Sequence, residues 1–381
     1  MSVEKFSYAN TSQAGIQCSL KGVRGEILSF IKDPFLYEEK ECVDHYDDGL
    51  IVIKAGRIEA VGDYARLVKN YPDIEIEEYK NSVIMPGFVD CHLHYVQSPM
   101  IGSPGDTLLN WLNRYTFPTE AKFKDKQFAD ETARMFFRQL LRNGTTTANI
   151  FATTFPESVD AIFEESERYN ALTICGKVLQ DRNLPDNLKD RSAENSVVES
   201  EGLLRKWHGK GRRLYAVAPR FAPTSSRLQL KLAGELYQAY VGKGVYMHTH
   251  LDEAYNEIEW VKELYPEATD YTDVYARYGL VGRRSVFAHC CLMEEREWDV
   301  LYDAGCGVVH CPSSNLFLGD GEFKFWEAKE RLRPCKTGIG TDVGGGTNFS
   351  VFRQLGDAYK VGMLKDRYLS PERSLYLATR G

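Results

Sequence analysis

Val83-Ile84-Met85-Pro86-Gly87-Phe88-Val89-Asp90-Cys91-His92-Leu93-His94 is an apolar run that ends in two histidines separated by one residue. Side chains along a strand alternate between faces, so His92 and His94 point the same way while Leu93 packs on the other side. Two imidazoles so placed can each offer a ring nitrogen to one cation, at the roughly 2.0–2.1 Å that zinc takes. A lone His-x-His is a weak signal. Its weight depends on whether the rest of the chain brings further ligands to equivalent places.

Seven more apolar runs follow, at 145–151, 172–179, 214–218, 245–249, 285–288, 307–310 and 336–340. With the run into His92 they make eight. Most successive pairs are separated by a helical segment, such as 158–169, 196–207, 228–241 and 254–263, which is the order of an α/β chain folded as a TIM-type (β/α)8 barrel. Leu108, Trp111, Leu112 and Tyr115 fall at helical spacing after the first strand, and 128–141 reads as an amphipathic helix. Ahead of the barrel, 23–31, 50–53, 58–61 and 74–79 read as strands, with a hairpin turning at Ala55-Gly56-Arg57. The chain therefore divides into a small all-β unit over 1–83, its first 20 residues polar and lying loosely on the surface, and a barrel over 84–381.

Active sites in such barrels lie at the carboxyl ends of the strands. His92 and His94 end the first run, Arg220 follows the fourth, His248 and His250 end the fifth, His289 ends the sixth and Asp342 ends the eighth. Five of the eight histidines thus fall at strand ends, whereas His45 and His208 lie well away from any.

His92, His94, His250 and Asp342 complete one coordination sphere of three nitrogens and a carboxylate, which suits zinc and is compatible with ferrous iron. A carboxylated lysine bridging two ions needs a lysine at the end of the fourth run, and Ala216-Val217-Ala218-Pro219-Arg220 has none, so one ion per chain is expected. Glu253, three residues past His250, can shuttle protons between a metal-bound water and a substrate nitrogen. His289 can hydrogen-bond the same water or a developing oxyanion. Asp342 can serve both as ligand and as base for the attacking water. The glycines around it, from Gly338 to Gly346, read as close backbone approach to the site, because no Lys-Ser/Thr follows as a phosphate loop requires.

Composition narrows the partners. The net charge is −7 and the basic clusters are short, which argues against nucleic acid. No stretch approaches the roughly 20 apolar residues of a membrane-spanning helix, and the amino terminus has no apolar leader, so a cytoplasmic chain without membrane contact is expected. Nine cysteines, odd in number and without Cys-x-x-Cys spacing, fit reduced thiols.

Pro86-Gly87-Phe88-Val89-Asp90-Cys91-His92-Leu93-His94, Arg142-Asn143-Gly144-Thr145-Thr146-Thr147, His250-Leu251-Asp252-Glu253, Ala288-His289-Cys290 and Gly340-Thr341-Asp342 together resemble the amidohydrolase superfamily, in its mononuclear metal-dependent deaminase branch. Gln97, Leu108-Leu109-Asn110-Trp111-Leu112, Thr116-Phe117-Pro118-Thr119-Glu120, Pro219-Arg220-Phe221, Cys311-Pro312-Ser313-Ser314-Asn315-Leu316 and Thr341-Asp342-Val343-Gly344-Gly345-Gly346 are similar to the guanine-deaminating members of that branch.

The resemblance implies a zinc enzyme of purine catabolism that hydrolyses guanine to xanthine and ammonia, with a metal-bound hydroxide attacking C2. It also implies that Glu253 protonates the ring nitrogen beside the attacked carbon, that Gln97, Arg220 and the backbone at Phe221 read the purine edges, and that the chain forms a homodimer. Family members continue past the helix around 370–379 with strands that return to the small β-unit, so a β-sandwich-like unit left incomplete by a short carboxyl terminus, with an open edge, is expected here. Two alternatives stay open. One is a related hydrolase of another amino-heterocycle, of the cytosine, methylthioadenosine or triazine type; the other is a non-catalytic scaffold homologue. Deaminases with His-x-Glu and Pro-Cys-x-x-Cys motifs are excluded by the absence of those motifs.

Overall fold

Ala55 and Gly56 both take positive φ, at 50° and 73°, as a two-residue hairpin turn requires. Around them the computed structural model runs β2 (Val43–Lys54) antiparallel into β3 (Arg57–Asp63). It describes residues 20–105 and 107–381. The expectation of a loose start therefore falls outside the described residues, except for Leu20, which opens β1 (Leu20–Phe30).

The small unit is one four-stranded sheet in the order β3-β2-β1-β4, with β4 (Glu75–Ile84) parallel to β1 and β2 antiparallel to it. Among the described residues no second sheet faces it, so it is a single layer and not a sandwich. Leu50, Val52 and Ile27 are buried, while Ile58 and Val83 are 66% and 51% exposed.

The strands outrun their alternation. The polar first half of β2 pairs with β1, from Phe30 opposite Val43 to Ile27 opposite Tyr46, so the ladder holds a stretch whose side chains carry no pattern. β4 likewise runs on through Val83 and Ile84, opposite Glu26 and Ile27. Pro86 then has no N–H to give a ladder. The division between the two units accordingly falls between Gly87 and Phe88, and not at 83/84 where the apolar run begins.

The second unit carries eight parallel strands that neighbour one another in chain order: β5 (Phe88–His94), β6 (Thr145–Phe151), β7 (Leu172–Gly176) continued by β8 (Val178–Leu179), β9 (Arg213–Pro219), β10 (Tyr246–Leu251), β11 (Ser285–His289), β12 (Gly307–His310) and β13 (Lys336–Ile339). The barrel closes just past β13. The Asp342 N–H donates to the His92 carbonyl at 2.9 Å, and the His94 N–H donates to the Val343 carbonyl at 2.7 Å. Asp90, buried on β5, reinforces the seam by accepting from the Thr341 N–H at 3.0 Å and from the Thr341 hydroxyl.

Helices alternate with the strands, each for a visible reason. In Lys126–Arg142, Asp125 caps the first turn by accepting from the Gln127 N–H, and Ala129, Ala133, Phe136, Phe137 and Leu140 form the buried stripe. Pro156–Tyr169 starts with proline and ends at Asn170 in the left-handed region, with φ 49°. The expected single third strand is split into β7 and β8. A Cβ on Gly176 would lie 1.8 Å from the Ala216 carbonyl oxygen, so only glycine fits there. Lys177 then buries its ammonium against Asp190, with Glu199 3.6 Å away. No helix among the described residues is long and apolar enough to cross a membrane.

Candidate active site

Strand ends bring four predicted ligands together. His92 Nε2 and His94 Nε2 lie 3.2 and 3.5 Å from Asp342 Oδ1, and His94 Nε2 lies 3.1 Å from His250 Nε2. All four side chains are buried. Asp342 and His289 take φ values of 45° and 73°, a region that non-glycine residues seldom occupy and that concentrates at functional sites. The strand-end turns so made aim both side chains across the mouth of the barrel.

Burial, followed by the charges of neighbouring imidazoles and Arg220, holds His94 and His250 well below the ordinary histidine value; His92 is lowered by burial, then by His289 and Arg220. These rings are neutral, the form that binds metal. His250 Nδ1 lies 2.7 Å from the Arg220 carbonyl; an N–H there leaves Nε2 as a lone pair facing the centre. His92 Nε2 has no hydrogen-bond partner although it is buried. Unprotonated nitrogens converging beside a carboxylate oxygen fit a divalent cation, and the donors of His92, His94 and His250 lie within 4.8 Å of one another.

Around this centre stand the groups expected to move protons. Glu253 Oε1 lies 3.5 Å from His289 Nε2, which is in turn 3.9 Å from Asp342 Oδ2. Burial, then Glu257 and Asp342, pushes the Glu253 carboxyl well above its ordinary value. Its backbone is pinned, because the Glu253 N–H donates to Glu257 Oε2 at 3.0 Å and Tyr271 donates to Glu257 Oε1 at 2.8 Å. His289 is set by its other nitrogen, 2.9 Å from Asn315 Oδ1. Burial also raises the Asp342 carboxyl.

A cavity opens onto these residues, lined by His94, His250, Glu253 and Asp342 together with Gln97, Arg220, Leu108, Trp111, Leu112, Phe221 and Leu318. Leu108, Leu112, Thr116 and Glu120 are buried at every fourth position. That is wider than α-helical spacing, and it follows from a π-turn over Leu112–Thr116 set between two short helical turns. Arg220 Nη1 donates to Glu120 Oε2 at 2.7 Å, and Gln97 Nε2 donates to Glu120 Oε1 at 3.0 Å. The Phe221 carbonyl accepts from the Thr224 N–H at 3.2 Å, so that carbonyl is taken up in its own turn.

Sequence reasoning left four residues of this region without a role: Glu120, His248, Asn315 and Asp90. Glu120 carries no local signal: it follows Thr116-Phe117-Pro118-Thr119, and its partners lie elsewhere in the chain. His248 lies 2.8 Å from His92 Nδ1, in the shell behind the ligands. His310 also ends a strand, yet it stacks on Phe323 with ring centroids 4.7 Å apart, outside the constellation. His45 pairs with Glu26 within the small unit, and His208 accepts the Tyr215 N–H.

Residues 83–381 match the amidohydrolase family. Among curated proteins the chain is 46% identical to guanine deaminase of Escherichia coli (strain K12), covering 95% of this chain and 82% of that protein. Among solved structures, guanine deaminase from Bradyrhizobium japonicum superposes with a TM-score of 0.93 at 35% identity, over 95% of this chain and 82% of that one. Guanine deaminase from C. acetobutylicum with bound guanine in the active site gives 0.87 at 29% identity, over 95% and 85%.

Proposed function

The chain belongs to the amidohydrolase family, and from that premise we propose that it hydrolyses guanine to xanthine and ammonia. One observation carries the reading: a single cavity joins the His94, His250, Asp342 and Glu253 side to a wall bearing Arg220 and Gln97. A flat base lying between Trp111, Leu112 and Phe221 can reach both sides at once. Similarity to proteins named for this activity supports the same substrate.

A divalent ion held by His92, His94, His250 and Asp342, which we take to be one zinc per chain, supplies Lewis acidity that lowers the pKa of an attacking water. The residues do the rest. Asp342 accepts a proton from the water through Oδ2, the oxygen turned toward His289. Glu253, protonated in its buried setting, gives its proton to the ring nitrogen beside C2 as the new carbon–oxygen bond forms. The water proton held by Asp342, passed to the now ionised Glu253 and on to the exocyclic amine, lets ammonia leave as the carbon–nitrogen bond breaks; the proton left on the new C2 hydroxyl returns through Asp342 to Glu253 as the carbonyl forms, which restores both carboxyls. With Asn315 Oδ1 accepting from Nδ1–H, His289 faces the site with a lone pair, so it orients the water by accepting a hydrogen bond from it and does not donate to an oxyanion in that tautomer. Arg220 and Gln97 hold the oxo edge of the purine, and a base lacking it leaves buried donors unpaired.

Ammonia release over a panel of aminopurines, aminopyrimidines and aminotriazines tests the assignment, with guanine expected to give the highest kcat/KM. A pyrimidine or triazine turned over faster than guanine overturns the substrate and leaves the metal chemistry standing.

A further inference from the structure

We propose that Glu120 is a positioning residue that neutralises Arg220 and fixes the amide of Gln97, so that the cavity selects an uncharged base over an anionic one. The inference rests on the guanine reading and deepens it.

Glu120 is fully buried and does not line the cavity. Both of its oxygens are occupied: Oε2 by Arg220 Nη1 at 2.7 Å, Oε1 by Gln97 Nε2 at 3.0 Å. Gln97 is held at its other end as well, since its Oε1 accepts the Gly344 N–H at 3.3 Å. A flipped amide would set its oxygen against the Glu120 carboxylate and its NH2 against the Gly344 N–H. The orientation is therefore fixed, and one amide N–H of Gln97 stays free alongside the remaining N–H groups of Arg220.

Charge decides what these donors accept. Arg220 is 3% exposed, and an uncompensated guanidinium at such depth would attract an anion strongly, because water screens it little. Paired with Glu120 it presents hydrogen-bond donors with no net charge. The distinction matters for this reaction: replacing the amino group of guanine by a second oxo group gives a more acidic purine, and a cationic wall would retain the product's anion. A neutral wall binds the oxo edge of the substrate and releases the product.

Glu120→Gln tests this, because it keeps the size, removes the charge and leaves one acceptor for two donors. The readouts are inhibition at neutral pH by hypoxanthine, a neutral oxopurine, and by urate, an anionic one, together with kcat/KM on guanine and metal content. In the parent, hypoxanthine should inhibit at lower concentration than urate. In Glu120→Gln the ratio should move toward urate by about tenfold or more, while kcat/KM on guanine falls about 10²-fold and bound metal is unchanged. Both inhibitors weakening in proportion, or neither changing, overturns the proposal, since a merely structural residue has no reason to distinguish them. A parent that binds urate at least as well as hypoxanthine overturns it without any variant. If the single variant does not fold, Glu120→Gln with Arg220→Gln removes both charges and should keep the parent's ratio; a shift toward urate there counts against the proposal. A parent that discriminates between the inhibitors but releases no ammonia from guanine sinks the substrate reading and leaves the neutral wall intact.

Discussion

Nδ1 of His92 lies 2.8 Å from Nε2 of His248, with both rings buried. For His92 to present the lone pair of Nε2 to a cation, its proton must sit on Nδ1 and be donated to His248. His248 thus sets the tautomer of a proposed ligand 156 residues before it in the chain. Partners of this kind typically change metal affinity by about 10–100-fold.

His248→Ala should accordingly weaken metal binding by that factor and leave the protein active when metal is added in excess. Competition with a chromophoric chelator measures the affinity. The parent should carry a single equivalent by elemental analysis, and His92→Ala combined with His250→Ala should carry none.

Glu253→Gln should retain the metal and still bind hypoxanthine, while turnover of guanine falls by at least about 10²-fold, the lower range for a positioned acid–base group. The amide cannot carry the proton. A variant within a few-fold of the parent would remove Glu253 from the reaction.

Lys177 and Asp190 form a buried ion pair, and the Asp190 carboxylate also accepts from the Gln180 N–H at 2.9 Å and from Gln229 at 3.0 Å. Lys177→Met strands a carboxylate away from water and should cost about 3–5 kcal/mol. Adding Asp190→Asn should recover part of that loss, because the two changes act on one interaction. Urea titrations of the single and double variants give both numbers.

Burial, then the charge of His289, lowers His310 from 6.5 to about 3. The unfolded chain therefore takes up a proton that the folded chain refuses, and stability present above pH 6.5 is lost as pH falls toward 3. His310→Phe keeps a ring on Phe323 and cannot be protonated. Between those limits the variant should lose stability more slowly than the parent, by up to about 1.4 kcal/mol per pH unit, as read from denaturation midpoints.

The eight barrel strands are legible because β/α alternation repeats a strong local pattern, and the clustering of His92, His94, His250 and Asp342 is legible because a strand end is both a sequence position and a place in the barrel. What escaped depended on distant partners. Glu120 gains its meaning from Arg220, 100 residues on, and nothing beside it in the chain marks the pairing. The break at Gly176 depends on the carbonyl of Ala216 on the neighbouring strand. The polar half of β2 is a strand only because β1 lies alongside. Leu108, Trp111 and Leu112 share one buried cluster with Tyr115 packed against it, as their spacing predicts, but nothing in that spacing marks the π-turn at Leu112–Thr116 that carries the buried face on to Thr116 and Glu120.

The seam that closes the barrel also orders events during folding. Asp90 and Thr341 are 251 residues apart, and the hydrogen bonds beside them join the backbones of His92 and Asp342. Two of the four proposed ligands therefore come from the first barrel strand and one from just past the last, so a chain still emerging from the ribosome holds His92 and His94 long before Asp342 exists. Metal capture by the full set can only follow the meeting of the two ends, whose loop-closure cost is met before any ligand contact returns free energy. In a refolding experiment, tight metal uptake should accordingly lag the appearance of helical signal and mark the final step.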